Sequence, residues 1–318
     1  MNRSLGLLLF AVLLLLFFFG EIISLYTDWL WFQAVGFSQV FTTILTYKTL
    51  LAAIFGGLFG LLIYMNVRFA TREPVTLLAQ EESEINLPSV DLVDPMIKQW
   101  LLPLAVILGF FAATQAAAHW NSFLLFFNGV PFELKDPLFN RDIGFYIFRL
   151  PALTALYNWL SVCLGLTFLA TALSYFLYRG IRYSPQALSL SKQARTHLFL
   201  LVGAILLVKA GGYYLDRFEL LYSPRGAAFG ASYADVYGSL PVLRFLVVVA
   251  TAAAGLSLVQ IYRPGFKYLL TGLGLLLLVH FFGLNVYPSL LQRFRVVPNE
   301  VVAERPFIER NIEFTRKA

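Results

Sequence analysis

Asp136-Pro-Leu-Phe-Asn-Arg-Asp-Ile-Gly-Phe-Tyr-Ile-Phe-Arg-Leu-Pro151 differs in kind from the apolar runs on either side of it. It carries Asp136, Arg141, Asp142 and Arg149, more charge than hydrocarbon tolerates. It also carries Phe139, Phe145, Tyr146 and Phe148, more aromatic surface than a freely solvated loop leaves in water. The membrane–water boundary suits both, because rings and charged tips each find partners there. The stretch therefore reads as part of a folded cap on one face of a helical membrane domain.

The whole composition agrees. Of 318 residues, 59% are hydrophobic, 16% aromatic and only 13% charged. A soluble domain has roughly 25% charged residues, so an ordinary soluble core does not explain this chain. The formal charge of +6 invites a nucleic-acid reading. Its Lys and Arg are scattered beside apolar runs and form no basic stripe to follow a phosphate backbone, so nucleic acid is not expected as a partner. The single cysteine, Cys163, excludes an internal disulfide and a cysteine-based metal site.

Seven runs approach the roughly 20 residues that cross a bilayer. They lie at about 5–23, 50–67, 101–118, 152–178, 198–214, 245–262 and 268–286. The first lacks the small-x-small cleavage pattern of a secretory signal and reads as an uncleaved span. None shows the alternation of a membrane barrel, so the fold class is all-α: a polytopic integral membrane protein with seven transmembrane helices and aromatic-rich outer loops. Pro264 and Gly265 break the chain between the last two runs and make them a hairpin. Arg3, Arg68, Arg72, Arg179, Arg182, Lys192, Arg195, Arg263 and Lys267 crowd the ends of runs on one side. That side is expected to be cytoplasmic, with the N-terminus, and the C-terminus extracytoplasmic. The connection 73–98 on that side is polar.

The three connections on the other side, at 27–49, 119–151 and 215–244, mix aromatics with Gly, Pro and a few charges. They are expected to lie along the outer interface and pack on each other. Residues 1–287 thus form the membrane domain, and 288–318 read as the start of a truncated extracytoplasmic domain. The tail looks helical from Pro306, a good first-turn residue. Its Phe307, Ile308 and Ile312 need a partner that the sequence does not obviously supply.

Asp28-Trp-Leu-Trp-Phe32 with Val35-Gly-Phe37, Asp136-Pro137 with Asp142 to Pro151, Gly226 with Phe229-Gly-Ala-Ser-Tyr-Ala-Asp235, and Asn299-Glu300 through Pro306-Phe-Ile308 and Asn311-Ile312 to Thr315-Arg316 form an ordered set. In these pieces the chain resembles the bacterial uncharacterised protein family 0182, large multi-pass membrane proteins. The resemblance implies seven spans followed by a large extracytoplasmic domain. It implies no catalytic residue.

Candidate chemistry is sparse. His119, His197 and His280 fall in no ligand spacing. The first two sit at span ends; His280 lies within a span, where a bond to a neighbouring helix is the simple reading. Gln115, Asn158, Lys209 and Asn285 are the other polar groups in the runs, and Lys209 is expected to snorkel outward, with pairing to Glu21 or Asp216 near the outer face as the alternative. Proton- or sodium-coupled pumps normally need a deep carboxylate, and the runs supply none. Asp136, Asn140 and Asp142 miss the spacing of a calcium loop, so salt bridges to Arg141 or Arg149 are expected instead. Asp216, Glu219 and Asp235 are expected to pair with Arg217 and Arg225. Ala52, Gly56 and Gly60, and Gly109, Ala113 and Ala117, recur every four residues, which suits close helix contact in lipid.

The expected function is a non-enzymatic membrane anchor that organises an extracytoplasmic domain in the bacterial envelope. No catalytic, cofactor-binding or metal-binding residue is assigned. The expected partners are the lipid bilayer and other envelope proteins meeting the outer face. The alternatives are a transporter or channel for a lipidic or envelope substrate, and an interfacial enzyme acting on lipid-linked material.

Overall fold

The computed structural model describes residues 3–72, 90–184 and 187–317, with backbone alone for 3–18, 90–93, 183–184 and 187. Helices α1 (Arg3–Ala34), α2 (Ser38–Ala70), α3 (Val90–Ala118), α4 (Trp120–Asn128), α5 (Leu150–Leu177), α6 (Lys192–Glu219), α7 (Leu240–Tyr262), α8 (Lys267–His280), α9 (Tyr287–Leu291) and α10 (Glu300–Lys317) follow in order. Among the described residues, six helical stretches are long and apolar enough to cross a membrane. They take in the runs expected from 50–67 onward. The first expected run, 5–23, lies on α1, and most of it falls on residues described by backbone alone. The polar connection 73–98 is helical from Val90, and its 73–89 part lies outside the described residues.

Apolar side chains cover the outside of these helices as well as their contacts. Leu61, Val106, Phe111, Val162, Val248 and Leu277 are all more than half exposed. A water-facing monomer does not carry so much contiguous apolar surface, whereas hydrocarbon accepts it. Buried contacts link the helices in two groups. Phe59 and Ile63 of α2 meet Ala105 of α3 and Cys163 of α5. Leu206, Ala210 and Tyr213 of α6 meet a run of α7 from Leu243 to Ala254, and Leu276 of α8. Ala70, Tyr175, Ala194 and Leu198 join α2, α5 and α6 at the end where α5 stops.

The small-residue faces pack as their spacing predicts. A Cβ on Gly56 would stand 2.7 Å from both the Ala113 Cβ and the Gly109 carbonyl oxygen, and one on Gly60 would stand 3.1 Å from the Ala105 carbonyl oxygen. In lipid this close approach supplies the packing that water would otherwise drive.

Two turns close the end opposite the cap. Strands β1 (Ile181–Ser184) and β2 (Ala187–Leu190) form an antiparallel pair, with Ile181 opposite Leu190 and Ser184 opposite Ala187. At the α7–α8 hairpin Gly265 takes φ +80°. The fully buried Gln260 closes this turn: its amide donates to the Arg263 carbonyl at 3.0 Å and accepts the Tyr268 N–H at 2.8 Å.

The other end departs most from expectation. The 27–49 connection is almost entirely helical, since α1 runs to Ala34 and α2 starts at Ser38. Its Trp31 and Phe37 are exposed rather than packed on the other connections. The tail does not begin a helix at Pro306. That proline lies inside α10, and the helical path is continuous from Lys267 to Lys317 through wide π turns at Phe281–Val286 and Gln292–Val296. Among the described residues, four π turns each stand just ahead of a proline: Pro151, Pro241, Pro288 and Pro298. Proline lacks an N–H and crowds the carbonyl four residues back, and one wider turn relieves both problems without ending the helix.

Candidate functional site

The polar chemistry gathers at the cap, between the connection 119–151, the connection 215–244 and α10. Asp136-Pro137 opens a turn in which the Asp136 carboxylate, 5% exposed, faces back into its own loop. It accepts the N–H of Leu138 at 2.9 Å, that of Phe139, that of Arg141 at 2.8 Å, and the Tyr146 hydroxyl at 2.8 Å. Asn140 completes the turn at φ +54°, a left-handed conformation that Asn tolerates better than most residues. The expected salt bridges to Arg141 or Arg149 are therefore not what holds Asp136; backbone donors do so at shorter range. Asp142 accepts the N–H of Phe132 at 3.1 Å and of Gly144 at 2.7 Å. The Phe132 donor, followed by that of Gly144, holds its carboxyl below the usual carboxylate range. Among the described residues no cluster of His, Cys, Asp and Glu has the makings of a metal site.

Arg141 bridges the two connections through its guanidinium, 5.0 Å from the Phe145 ring centre and 5.5 Å from that of Phe218. Phe218 also meets Phe139 and Tyr146 edge-on. These two connections do pack on each other, as expected. Asp235, 1% exposed, pairs with Arg225 at 3.1 Å and accepts the Ser232 hydroxyl at 2.7 Å. Glu219 instead accepts from the Thr154 hydroxyl at 3.2 Å, and the Arg217 guanidinium lies 4.0 Å from the Tyr214 ring centre. Asp216 makes no ion pair among the described residues.

The tail finds its partner here, within the same chain. Glu304, 2% exposed, accepts the Tyr233 N–H at 3.2 and 3.3 Å through its two oxygens. The Asn311 amide donates to the Phe229 carbonyl at 2.6 Å. Phe307 lies against Tyr233 and Tyr237, with ring centres 6.3 and 6.4 Å away. Gly226 lets this loop close tightly, since a Cβ there would stand 2.8 Å from the Ser232 Cβ. Between the parts lies a crevice of about 210 Å³ whose walls include Asp136, Leu221, Phe229, Glu304, Phe307 and Asn311. Three of the four sequence pieces that carry the family resemblance thus meet in one place. Glu304 escapes sequence reading because it looks like any charge on a solvated helix until the fold buries it.

Inside the bundle, the half-buried His197 and His280 are each held by neighbouring helices. His280 Nδ1 and the Tyr213 hydroxyl are 3.0 Å apart. His197 lies between the Tyr175 hydroxyl, 3.0 Å away, and Asn66 Oδ1, 2.8 Å away. Lys209 is half-buried within the bundle. Its ammonium donates to the Tyr157 hydroxyl at 3.3 Å and sits 4.7 Å from the Tyr213 ring centre. Tyr157 reaches that place by lying flat against Gly212, where any Cβ would collide with its ring. His119, Gln115 and Asn158 surround one mouth of an apolar cavity of about 320 Å³ between α2, α3, α4 and α5. The Asn285 carbonyl accepts the Ser289 hydroxyl at 2.6 Å.

The sequence model of an uncharacterised protein family (UPF0182) matches residues 5–318. A UPF0182 protein of Frankia alni is 37% identical over 292 residues, covering 92% of this chain and 28% of the relative. One of Trichlorobacter lovleyi is 34% identical over 311 residues, covering 97% of this chain and 35% of the relative. One of Streptomyces coelicolor is 33% identical over 322 residues, covering 99% of this chain and 32% of the relative. The chain thus spans about a third of the length of these relatives. No solved structure matches it.

Proposed function

The chain belongs to the uncharacterised protein family UPF0182, and from that premise we propose that it is a non-enzymatic membrane anchor that holds an extracytoplasmic domain at a fixed angle to the bilayer. In this reading α1 is a seventh span, the N-terminus is cytoplasmic and α10 leaves the outer face. The bias of Lys and Arg toward the end opposite the cap supports that orientation.

One observation carries the reading: two polar side chains of the tail, Glu304 and Asn311, grip the backbone of the cap. Glu304 and Asn311 tie α10 to the 226–235 loop, and the same helical path runs down through α8. Asp136 and Asp235 are each satisfied within the cap. A carboxylate that already accepts several donors is poorly placed to take a proton from a substrate. A helix that enters through a span and is clamped at its exit transmits a fixed orientation to whatever follows it. The much greater length of the relatives gives such an anchor something to hold.

Spin labels on Phe127 in α4 and Arg316 in α10 test this in lipid nanodiscs. A narrow distance distribution is expected, and Glu304→Ala with Asn311→Ala should broaden it. An equally broad distribution in the unsubstituted chain would remove the clamp from the argument. The rival transport reading is tested in sealed liposomes with pH- and potential-sensitive dyes. A protein-dependent flux that disappears in His280→Ala would replace the anchor with a transporter.

A further inference from the structure

The apolar cavity between α2, α3, α4 and α5 belongs neither to the cap nor to its grip on the tail. Phe59 and Cys163, each 2% exposed, lie toward its deep end. Phe55 stands edge-on to Trp159 at 4.9 Å and tilted against Phe123 at 5.4 Å, forming an aromatic wall. Its volume of about 320 Å³ falls in the range of small-molecule sites, about 300–1,000 Å³. Along α5 its lining runs from Ala155 to Leu166, about 16 Å at the rise of an α-helix. That is close to the depth of one leaflet, half of the ~30 Å hydrocarbon core.

The cavity is polar at one end only. Gln115 and His119 stand one turn apart on and just after α3, and Asn158 faces them from α5, near the cap end of both helices. None of these three side chains makes a hydrogen bond among the described residues. No Lys, Arg, Asp or Glu lines the cavity. Water fits such a space poorly, because it needs two to four polar partners and the deep walls offer almost none. An empty space would forfeit dispersion contacts on every wall. Hydrocarbon satisfies the walls, and neutral amides at leaflet-boundary depth suit ester oxygens better than a phosphate.

We propose that this cavity is a binding site for one acyl chain of a bilayer phospholipid, with the Gln115 and Asn158 amides meeting its glycerol ester region. The site discriminates by chain and ester, not by headgroup charge. It does not rest on the anchor reading, since a held lipid is compatible with any activity of the cap.

Trp159 in the lining makes the test direct. The whole chain is placed in nanodiscs of phosphatidylcholine carrying a dibrominated acyl chain, and Trp159 emission is isolated by difference from Trp159→Phe. Lipid retained after exchange into detergent is counted by native mass spectrometry. The expected result is strong quenching of Trp159 and one retained phospholipid per chain. Ala112→Phe, which fills the cavity, and the exposed rim pair Gln115→Leu with Asn158→Leu should each lower retention about tenfold. Absent quenching, or retention unchanged in the rim pair, would overturn the proposal. If Ala112→Phe fails to fold, the rim pair and the quenching still decide it.

Discussion

Asp136 shows how much one side chain can hold together. It answers three backbone N–H groups and the Tyr146 hydroxyl inside the cap. Asp136→Ala leaves all four donors without an acceptor, so a loss of about 3 kcal/mol or more is expected, read by denaturation in nanodiscs. Asp136→Asn keeps part of the acceptor set and should lose less. Asp142 gives the cap an acid-sensitive edge. The Phe132 N–H, and then that of Gly144, lower its folded carboxyl below the ordinary value. The stability it lends is therefore full above the ordinary carboxylate range and is lost as pH falls through the lower folded value. The protection factors for amide exchange at Phe132 and Gly144 should fall in that acid window, and Asp142→Asn should abolish the pH dependence. The sequence marks both aspartates as unusual. Their donors are invisible in it because most are backbone groups, which every residue has, and only the turn geometry aims them.

At the level of helices, the four-residue repeat of small side chains was legible, and so was its consequence. Gly56 faces Gly109 and Ala113 so closely that no Cβ fits without movement, Gly60 has slightly more room, and Gly57 has nothing within 4 Å. Gly56→Leu should therefore destabilise the α2–α3 pair by about 1–3 kcal/mol or more, with Gly60→Leu smaller and Gly57→Leu near neutral. Melting in nanodiscs checks the order. Equal effects at 56 and 57 would mean that this face looks at lipid. The π turns were not legible. Proline before a helix can read as a first-turn residue or as an interior kink, and only the neighbours decide. At Gly238 the choice is visible: a Cβ there would stand 3.3 Å from Pro288, so the turns at 235–239 and 281–286 bring two bent helices together. Reading Pro306 as a helix start failed for the same reason.

For the whole molecule, reporter fusions test the proposed orientation. A fusion after Pro288 should give active periplasmic-type phosphatase and a dark fluorescent reporter, and one in the 179–195 connection should give the reverse. The opposite pattern would invert the anchor. The sequence by itself determined the all-helical class, six of the seven runs it marks as spans, the hairpin at Pro264-Gly265 and the family, because hydropathy over some 20 residues is a local property. Only the tertiary structure decided where the charges went. Lys209 met the Tyr157 hydroxyl and the Tyr213 ring, and Glu304 became a buried clamp on Tyr233. Phe307 found its partner in a loop more than sixty residues earlier. A polar side chain in or near a membrane takes the best donor or acceptor within its reach. Which groups come within reach is set by helix packing between distant parts of the chain, and no window of sequence contains that.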